Sequence, residues 1–281
     1  MKTLLLLEGG AMRGNYTAGV LDVFIENDIY INDVYAVSAG LLNALNYKSR
    51  QKGRIIKINK SFCRDRRFIS LRKYIRKGVL MDLDFLLNEV SNELVPFDYE
   101  EFKNNDIKIT TVCTEASRET PLYKEISDVK MDANYIKGAC SMPLLSRFVV
   151  VDEYKLLDGG AVDAIPIEKA LDDGFEKFII VLTRPHGYHK AKSGVDKLMA
   201  VHYKKYPNMV KLFSKKVDKY NRSLEIIDEL VKNKKAIAIY PSELIKVSRA
   251  ERDVEKLEEI YQLGRKDCLN ILEEIKEFIK E

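Results

Sequence analysis

Apolar residues at the start of the chain form short continuous runs, each ended by glycine or another small residue. Residues 3–7 (TLLLL) form the first run, and residues 34–37 (VYAV) form the second. Such runs are typical of strands buried on both faces of a parallel sheet. Between them, apolar residues recur every three or four positions, which predicts a helix to about Asn27. These residues are Tyr16, Val20, Val23 and Phe24.

The same patterns predict further strands and helices downstream. Strands are expected at 107–114, 177–183 and 236–240, with two short strands between 149 and 157. Helices are expected at 39–51, within 193–234, and from about 251 to the end, whereas residues 60–104 show no regular pattern. Strands that alternate with helices predict one α/β domain, here with a helical C-terminal extension.

Composition and charge describe an ordinary globular protein. Of the 281 residues, 46% are hydrophobic and 32% charged, and the net charge of +4 is too small to indicate nucleic-acid binding. Four separated cysteines without a C-x-x-C pair favour reduced thiols, and neither a signal-peptide pattern nor a membrane-spanning run occurs. We therefore expect a cytoplasmic protein whose membrane contact, if any, is peripheral.

The turn after the second apolar run reads Ala36-Val37-Ser38-Ala39-Gly40. A serine between small residues, at a turn from strand to helix, matches the A-x-S-x-G form of a nucleophile elbow. Ala36 stands where glycine is usual. The alternative is that Ser38 only caps the helix that follows, as serine often does.

A glycine-rich loop, Glu8 to Gly14, follows the first predicted strand. Its spacing resembles a dinucleotide-binding loop, but no acidic residue ends the second strand, as that site requires. The other interpretation is an oxyanion hole. Since a helix joins two parallel strands here, the N–H groups of Gly10 and Ala11 would face the Ser38 hydroxyl.

Asp158 is a candidate base for Ser38. It precedes Gly159-Gly160 at the end of a predicted strand, and the carboxyl end of a parallel strand faces the functional edge of a sheet. The alternative is an aspartate that only stabilises a glycine turn. His186, His189 and His202 lie in a segment typical of an exposed loop, and they form no recognisable metal site.

Together these motifs resemble the patatin-like phospholipase family. The resemblance rests on the glycine loop, the Ser38 turn, the Asp158-Gly159-Gly160 turn and the stretch Ala139 to Pro143. It implies a three-layer α/β/α fold with a mostly parallel sheet, an acyl hydrolase domain at 4–170 and an extension at 171–281. Three segments of the extension resemble a bacterial subgroup: Thr183-Arg184-Pro185, Tyr206-Pro207-Asn208 and Val247-Ser248-Arg249.

The resemblance implies a Ser-Asp dyad that works without histidine, metal or cofactor. Ser38 would attack an ester carbonyl, Asp158 would accept its proton, and an acyl-enzyme would form. Gly10 and Ala11 correspond to the oxyanion donors, and Arg13 to the arginine that supports them. The remaining motif positions are Gly9, Gly14, Ala36, Gly40, Gly159 and Gly160. Ala11 and Ala36 stand where the family has glycines. These two departures bear on the expected catalytic efficiency more than on the expected class of reaction.

The implied substrates are phospholipids, lysophospholipids or simpler acyl esters. Residues 190–235 hold 13 Lys or Arg against 5 Asp or Glu, so this segment could face an anionic membrane or simply solvent. Its nearby apolar residues are Tyr203, Tyr206, Met209, Leu212 and Phe213. Residues 62–102 could form a lid or acyl-chain pocket over Ser38, or ordinary surface helices. The alternative function is a lipid- or anion-binding protein on a catalytically weak scaffold.

Overall fold

A sheet of eight strands forms the centre of the protein, which a computed structural model describes from residue 2 to residue 280. The strands are β1 (Thr3–Leu7), β2 (Asp33–Ala36), β3 (Lys108–Glu115), β4 (Leu122–Ile126), β5 (Val149–Val151), β6 (Tyr154–Asp158), β7 (Lys177–Val181) and β8 (Ala236–Ile239). The hydrogen-bonded order is β5–β6–β3–β2–β1–β7–β8, and β4 also pairs with β3. Strands β3, β2, β1, β7 and β8 run parallel, which confirms the mostly parallel sheet.

Helices connect and cover these strands. They are α1 (Gly14–Glu26), α2 (Ala39–Lys48), α3 (Arg54–Phe62), α4 (Leu71–Lys77), α5 (Leu83–Phe85), α6 (Tyr99–Asn104), α7 (Ala133–Ala139), α8 (Ile167–Asp172), α9 (Gly194–His202), α10 (Pro207–Lys232), α11 (Val254–Asn270) and α12 (Leu272–Lys280). A 3-10 turn (Ala11–Arg13) precedes α1, and a π-helical segment (Leu86–Leu94) continues α5.

Two predicted helices end differently from the prediction. The helix expected over 39–51 ends at Lys48, and the chain turns through Gly53 (φ 73°) into α3. The single C-terminal helix expected from residue 251 is two helices, because Ile271 leaves the helical conformation with φ −121°. The irregular stretch 60–104 contains short helices whose apolar positions are too few to give a clear periodicity.

Both faces of the sheet are covered, which gives the three-layer α/β/α arrangement. Leu5 and Leu7 of β1 belong to a core on one face together with residues of α1, α2 and α11. Leu4 and Leu6 belong to a second core on the opposite face, with residues of α8 and α10. Alternate side chains of a strand point to opposite faces, so burial of both sets requires apolar residues at every position.

Residues beyond 171 complete the sheet. β7 pairs with β1, and β8 pairs with the outer edge of β7. The boundary between a domain at 4–170 and an extension at 171–281 stays a prediction. Among residues 2–280, none of the helices combines the length and apolar character that crossing a bilayer requires.

The five apolar residues that we named in the basic segment 190–235 are turned into the protein. Tyr203, Met209 and Phe213 are each at most 4% exposed and pack in a small core beneath α9 and α10. Tyr206 and Leu212 are partly buried against the same core. The expectation that these side chains face a membrane is therefore wrong, because the helical period turns them inward.

Helix α11 crosses α1 closely, and each helix has a glycine at the crossing. A Cβ added to Gly264 would lie 2.1 Å from the Tyr16 carbonyl oxygen, and one added to Gly19 would lie 2.1 Å from the Tyr261 carbonyl oxygen. Hydrogen bonds flank the crossing, since the Tyr16 hydroxyl donates to Asp267 and the Tyr261 hydroxyl donates to Asp22. The C-terminal region thereby fixes the helix that follows the glycine-rich loop.

We predict that Gly264→Ala lowers the free energy of unfolding by about 1–3 kcal/mol, because the added methyl pushes α11 away from α1. Gly194→Ala is the matched control, since a Cβ there meets no atom within 4 Å. Its effect should stay within about 0.5 kcal/mol. Chemical denaturation of both variants measures the difference, and equal stabilities would contradict the close crossing.

Candidate active site

Ser38 occupies a strained turn between β2 and α2. Its backbone has φ 54° and ψ −119°, a region that costs a non-glycine residue about 1–3 kcal/mol. The hydroxyl makes no capping bond to α2 and instead donates a hydrogen bond to Oδ2 of Asp158. The capping interpretation is therefore wrong, and the turn has the conformation of a nucleophile elbow.

The small residues around Ser38 have different structural roles. A Cβ on Gly40 would lie 2.7 Å from the Leu7 carbonyl oxygen, so glycine lets α2 start directly against β1. Ala36, by contrast, lies within β2, and its methyl group is buried in the main core. The alanine at this position fits the strand and does not narrow the turn.

Asp158 reaches Ser38 by a route that the sequence did not indicate. We expected it at the end of a parallel strand, but β6 runs antiparallel to β3. Cys113 of β3 pairs with Leu122 of β4 on one side and with Asp158 on the other. At Thr111, β3 pairs with β2 on one side and with β4 on the other. β6 and β2 therefore lie on the same side of β3, end to end, and run in opposite directions. The carboxyl ends of β2 and β6 therefore face each other.

The Asp158 carboxylate uses both of its oxygens. Oδ1 accepts the N–H of Gly160 at 2.7 Å, while Oδ2 accepts the Ser38 hydroxyl. Asp158 therefore stabilises the glycine turn and also contacts Ser38, because the turn orients the carboxylate toward the serine. Its role as a base stays a prediction. Burial raises the pKa of Asp158 to about 6, whereas the bonds from Ser38 and Gly160 and the charge of Arg249 oppose that rise.

A neighbouring segment fixes the backbone of both residues. The Cys140 thiol donates to the Ser38 carbonyl oxygen at 3.3 Å, and the Asp158 N–H donates to the Ser141 carbonyl oxygen at 2.8 Å. This segment is part of the Ala139 to Pro143 stretch that carried the family resemblance. It positions the serine and the aspartate relative to each other.

The glycine-rich loop lies beside the elbow. Gly10 and Ala11 line the same cavity as Ser38, at the start of the 3-10 turn that leads into α1. The first N–H groups of a helix have no partner within the helix, and its dipole favours negative charge there. Ala11 has φ 49°, a left-handed conformation that costs an alanine about 1–2 kcal/mol.

A buried carboxylate that we did not single out holds this loop. Glu8 is 2% exposed and accepts three hydrogen bonds, from the Thr183 N–H at 2.6 Å, the Thr183 hydroxyl at 3.0 Å and the Tyr220 hydroxyl at 2.8 Å. The Arg13 Nε also donates to the Thr183 hydroxyl at 3.4 Å. The sequence signal was a charged residue inside an otherwise apolar and glycine-rich run.

Ser38 and Ala11 lie between two cavities of different character. One has a volume of about 240 Å³ and contains Arg13, Lys190, Lys216 and Arg249 in its wall. The other, of about 70 Å³, is mainly apolar. Its apolar lining residues include Ile55, Ile58, Phe68, Met81, Leu83 and Leu86. Part of the 62–102 region thus lines a pocket next to the serine.

The histidines lie elsewhere. His186 is exposed, 3.4 Å from Asp228, and His202 packs against the Tyr203 ring. No histidine lines either cavity at Ser38, and residues 2–280 contain no group of three potential metal ligands. The serine and the aspartate therefore meet without a histidine between them.

Comparison with known proteins identifies the family. The Patatin-like phospholipase family matches residues 5–171, more than half of the chain, and the protein belongs to this family. Residues 206–280 match a second family, described as a domain of unknown function (DUF6363).

One curated relative is the uncharacterized protein YjjU of Escherichia coli K12, which is 27% identical over 187 residues. That match covers 64% of this chain and 52% of YjjU, so it spans about half of the relative. Among solved structures, the crystal structure of VipD from Legionella pneumophila aligns with a TM-score of 0.46 and 12% identity. The alignment covers 97% of this chain and 67% of VipD.

We predict that the reactivity of Ser38 rises with pH through about 6, because Asp158 accepts a proton only when ionised. The rate of labelling by a fluorophosphonate should fall about tenfold per unit below that pH and level off above it. Arg249→Gln should move the midpoint to higher pH, since Arg249 favours the ionised carboxylate. The exposed control Lys211→Gln should not move it, and a pH-independent rate would exclude Asp158 as the base.

Proposed function

We propose that the protein is a serine acyl-ester hydrolase of the phospholipase A or lysophospholipase type, with Ser38 as nucleophile and Asp158 as base. The observation that carries this proposal is the hydrogen bond that the hydroxyl of Ser38, a residue with a strained backbone, donates to the buried Asp158 carboxylate. A serine that only shaped the chain would have no reason to occupy a left-handed conformation and to point at a buried acid.

The reaction would proceed through an acyl-enzyme. Asp158 accepts the proton of Ser38 as its oxygen bonds to the acyl carbonyl carbon, and negative charge develops on the carbonyl oxygen. The N–H groups of Gly10 and Ala11 stabilise that charge, with Arg13 supporting the loop. Asp158 then gives its proton to the departing alcohol. In the second half, Asp158 accepts a proton from water as the water oxygen bonds to the acyl carbon. The bond from that carbon to the Ser38 oxygen then breaks, and Asp158 returns the proton to Ser38.

The two cavities support a lipid substrate. The apolar cavity next to Ser38 and Ala11 suits an acyl chain, and the larger polar cavity suits the alcohol part of the ester. Phospholipids and lysophospholipids have this division of polarity around their ester bond. A role in lipid degradation follows from this assignment.

Contact of the basic segment 190–235 with an anionic lipid surface is part of the same proposal, but through other apolar residues than the five expected. Leu198 and Val201 of α9 are 56% and 68% exposed, with the exposed Lys197 beside them. The opposite side of α9 contributes Met199 to the polar cavity. An amphipathic helix with exposed apolar residues and a lysine suits an anionic interface close to the site.

We expect Ser38→Ala and Asp158→Asn each to lower the kcat for a short-chain nitrophenyl ester by at least about 10³-fold, because each removes an essential step. Both variants should keep the thermal stability of the wild type to within a few degrees. Near-normal turnover by either folded variant would contradict the dyad.

A fluorophosphonate probe separates this enzyme from the alternative, a lipid- or anion-binding protein on the same scaffold. Labelling of wild type, absent in Ser38→Ala, supports the enzyme. Folded wild-type protein that does not react at any pH supports the binding protein, whose low reactivity would fit the strained Ala11 in the oxyanion loop.

For the membrane contact, we predict that the double variant Leu198→Ser, Val201→Ser binds vesicles containing phosphatidylglycerol at least about tenfold more weakly than wild type. We expect weaker binding because the two serines cannot make the apolar contacts that Leu198 and Val201 make with the lipid. Leu269→Ser, an exposed leucine on α11, is the control and should bind as wild type does. Sedimentation with vesicles measures the binding, and an unchanged double variant would exclude α9 as the contact.

A further inference from the structure

Four cationic side chains from separate parts of the chain meet at the polar cavity beside Ser38. Arg13 belongs to the 3-10 turn before α1, Lys190 to the loop before α9, Lys216 to α10, and Arg249 to the loop after β8. Lys190, Lys216 and Arg249 lie outside residues 5–171, which match the patatin-like family. Lys216 and Arg249 lie within the DUF6363 match. The C-terminal region therefore supplies much of this positive charge.

The acidic residues of the cavity wall are already engaged. Asp196 pairs with Lys216, Asp158 bonds Ser38 and Gly160, and Glu8 accepts its three bonds from Thr183 and Tyr220. Within residues 2–280, neither the Lys190 ammonium nor the Arg249 guanidinium has a hydrogen-bond or ion-pair partner. The Lys190 nitrogen lies 4.4 Å from the centre of the Tyr220 ring.

Lys190 is held among like charges. Burial lowers its pKa to about 8, and Lys216, Arg13 and Arg184 act in the same direction, while Glu8 opposes them. Keeping several cations together in a partly buried cavity costs free energy in the free protein. A bound anion would recover that cost.

We propose that Lys190, Arg249 and Arg13 bind the phosphate group of an acyl-ester substrate while its acyl chain occupies the apolar cavity. This inference rests on the proposed function, and it narrows the substrates to glycerophosphate esters. A phosphate accepts several charge-assisted hydrogen bonds, and guanidinium groups match its geometry in pairs. Ser38 lies between the two cavities, where the ester bond of such a molecule would be.

The test compares 1-decanoylglycerol 3-phosphate with 1-decanoylglycerol, two esters that differ only in the phosphate, at concentrations below micelle formation. We expect the wild type to show a kcat/KM at least about tenfold higher for the phosphate ester. Lys190→Met, which removes the charge and keeps most of the length of the side chain, should reduce that ratio at least about tenfold. Lys211→Met, an exposed lysine of α10 outside the cavity, should retain it. A ratio near one in wild type, or equal ratios in wild type and Lys190→Met, would overturn the proposal.

A binding measurement separates this inference from the proposed function. Calorimetry should detect binding of glycerol 3-phosphate to the Ser38→Ala protein. Adding Lys190→Met to this variant should weaken that binding at least about tenfold. If wild type hydrolyses no ester but this binding is seen, the hydrolase fails and the phosphate site stands. No binding by folded protein overturns the site. Inorganic phosphate that binds as tightly as glycerol 3-phosphate, without preference for the phosphate ester, indicates a site for free phosphate and overturns the substrate assignment.

Discussion

The site depends on the way two strands share one side of β3. β2 pairs with the first half of β3 and ends at Ala36, and β6 pairs with the second half from the opposite direction and ends at Asp158. Neither strand can extend without displacing the other. The two chain ends must therefore turn out of the sheet at the same level, which brings Ser38 and Asp158 together. The hydrogen bond between them is a consequence of sheet pairing as much as of side-chain chemistry.

Two buried carboxylates, Glu8 and Asp158, border this junction and serve different purposes. Glu8 accepts three donors, so its burial is compensated and its loop is fixed. Asp158 has one backbone donor and the Ser38 hydroxyl, which is too little to offset complete burial, and its pKa rises. A buried carboxylate that receives too few hydrogen bonds to offset its burial is basic enough to accept a proton near neutral pH.

Much of the fold and the positions of Ser38 and Asp158 could be predicted, because short apolar runs and small-residue turns are local signals. The antiparallel direction of β6 could not be predicted from local patterns. It depends on pairing with the last three residues of β3, which extend beyond the residues that pair with β2. Thr183 and Tyr220 lie 175 and 212 residues from Glu8, beyond any local pattern. The sequence singled out both Ala11 and Ala36 as replacements of glycine, but only Ala11 has a positive φ, because the residue type does not determine the backbone angle.

The bonds that Glu8 receives have a consequence for the modularity of this protein. Both donor residues, Thr183 and Tyr220, lie beyond residue 171, where the patatin-like match ends. A fragment stopped there would keep Ser38 and Asp158 but leave the Glu8 carboxylate without these donors. It would also lack β7, which pairs with β1. The segment that carries Ser38 and Asp158 therefore depends on residues beyond 171 for part of its sheet and for the bonds to Glu8, and moving this site into another protein would require nearly the whole chain.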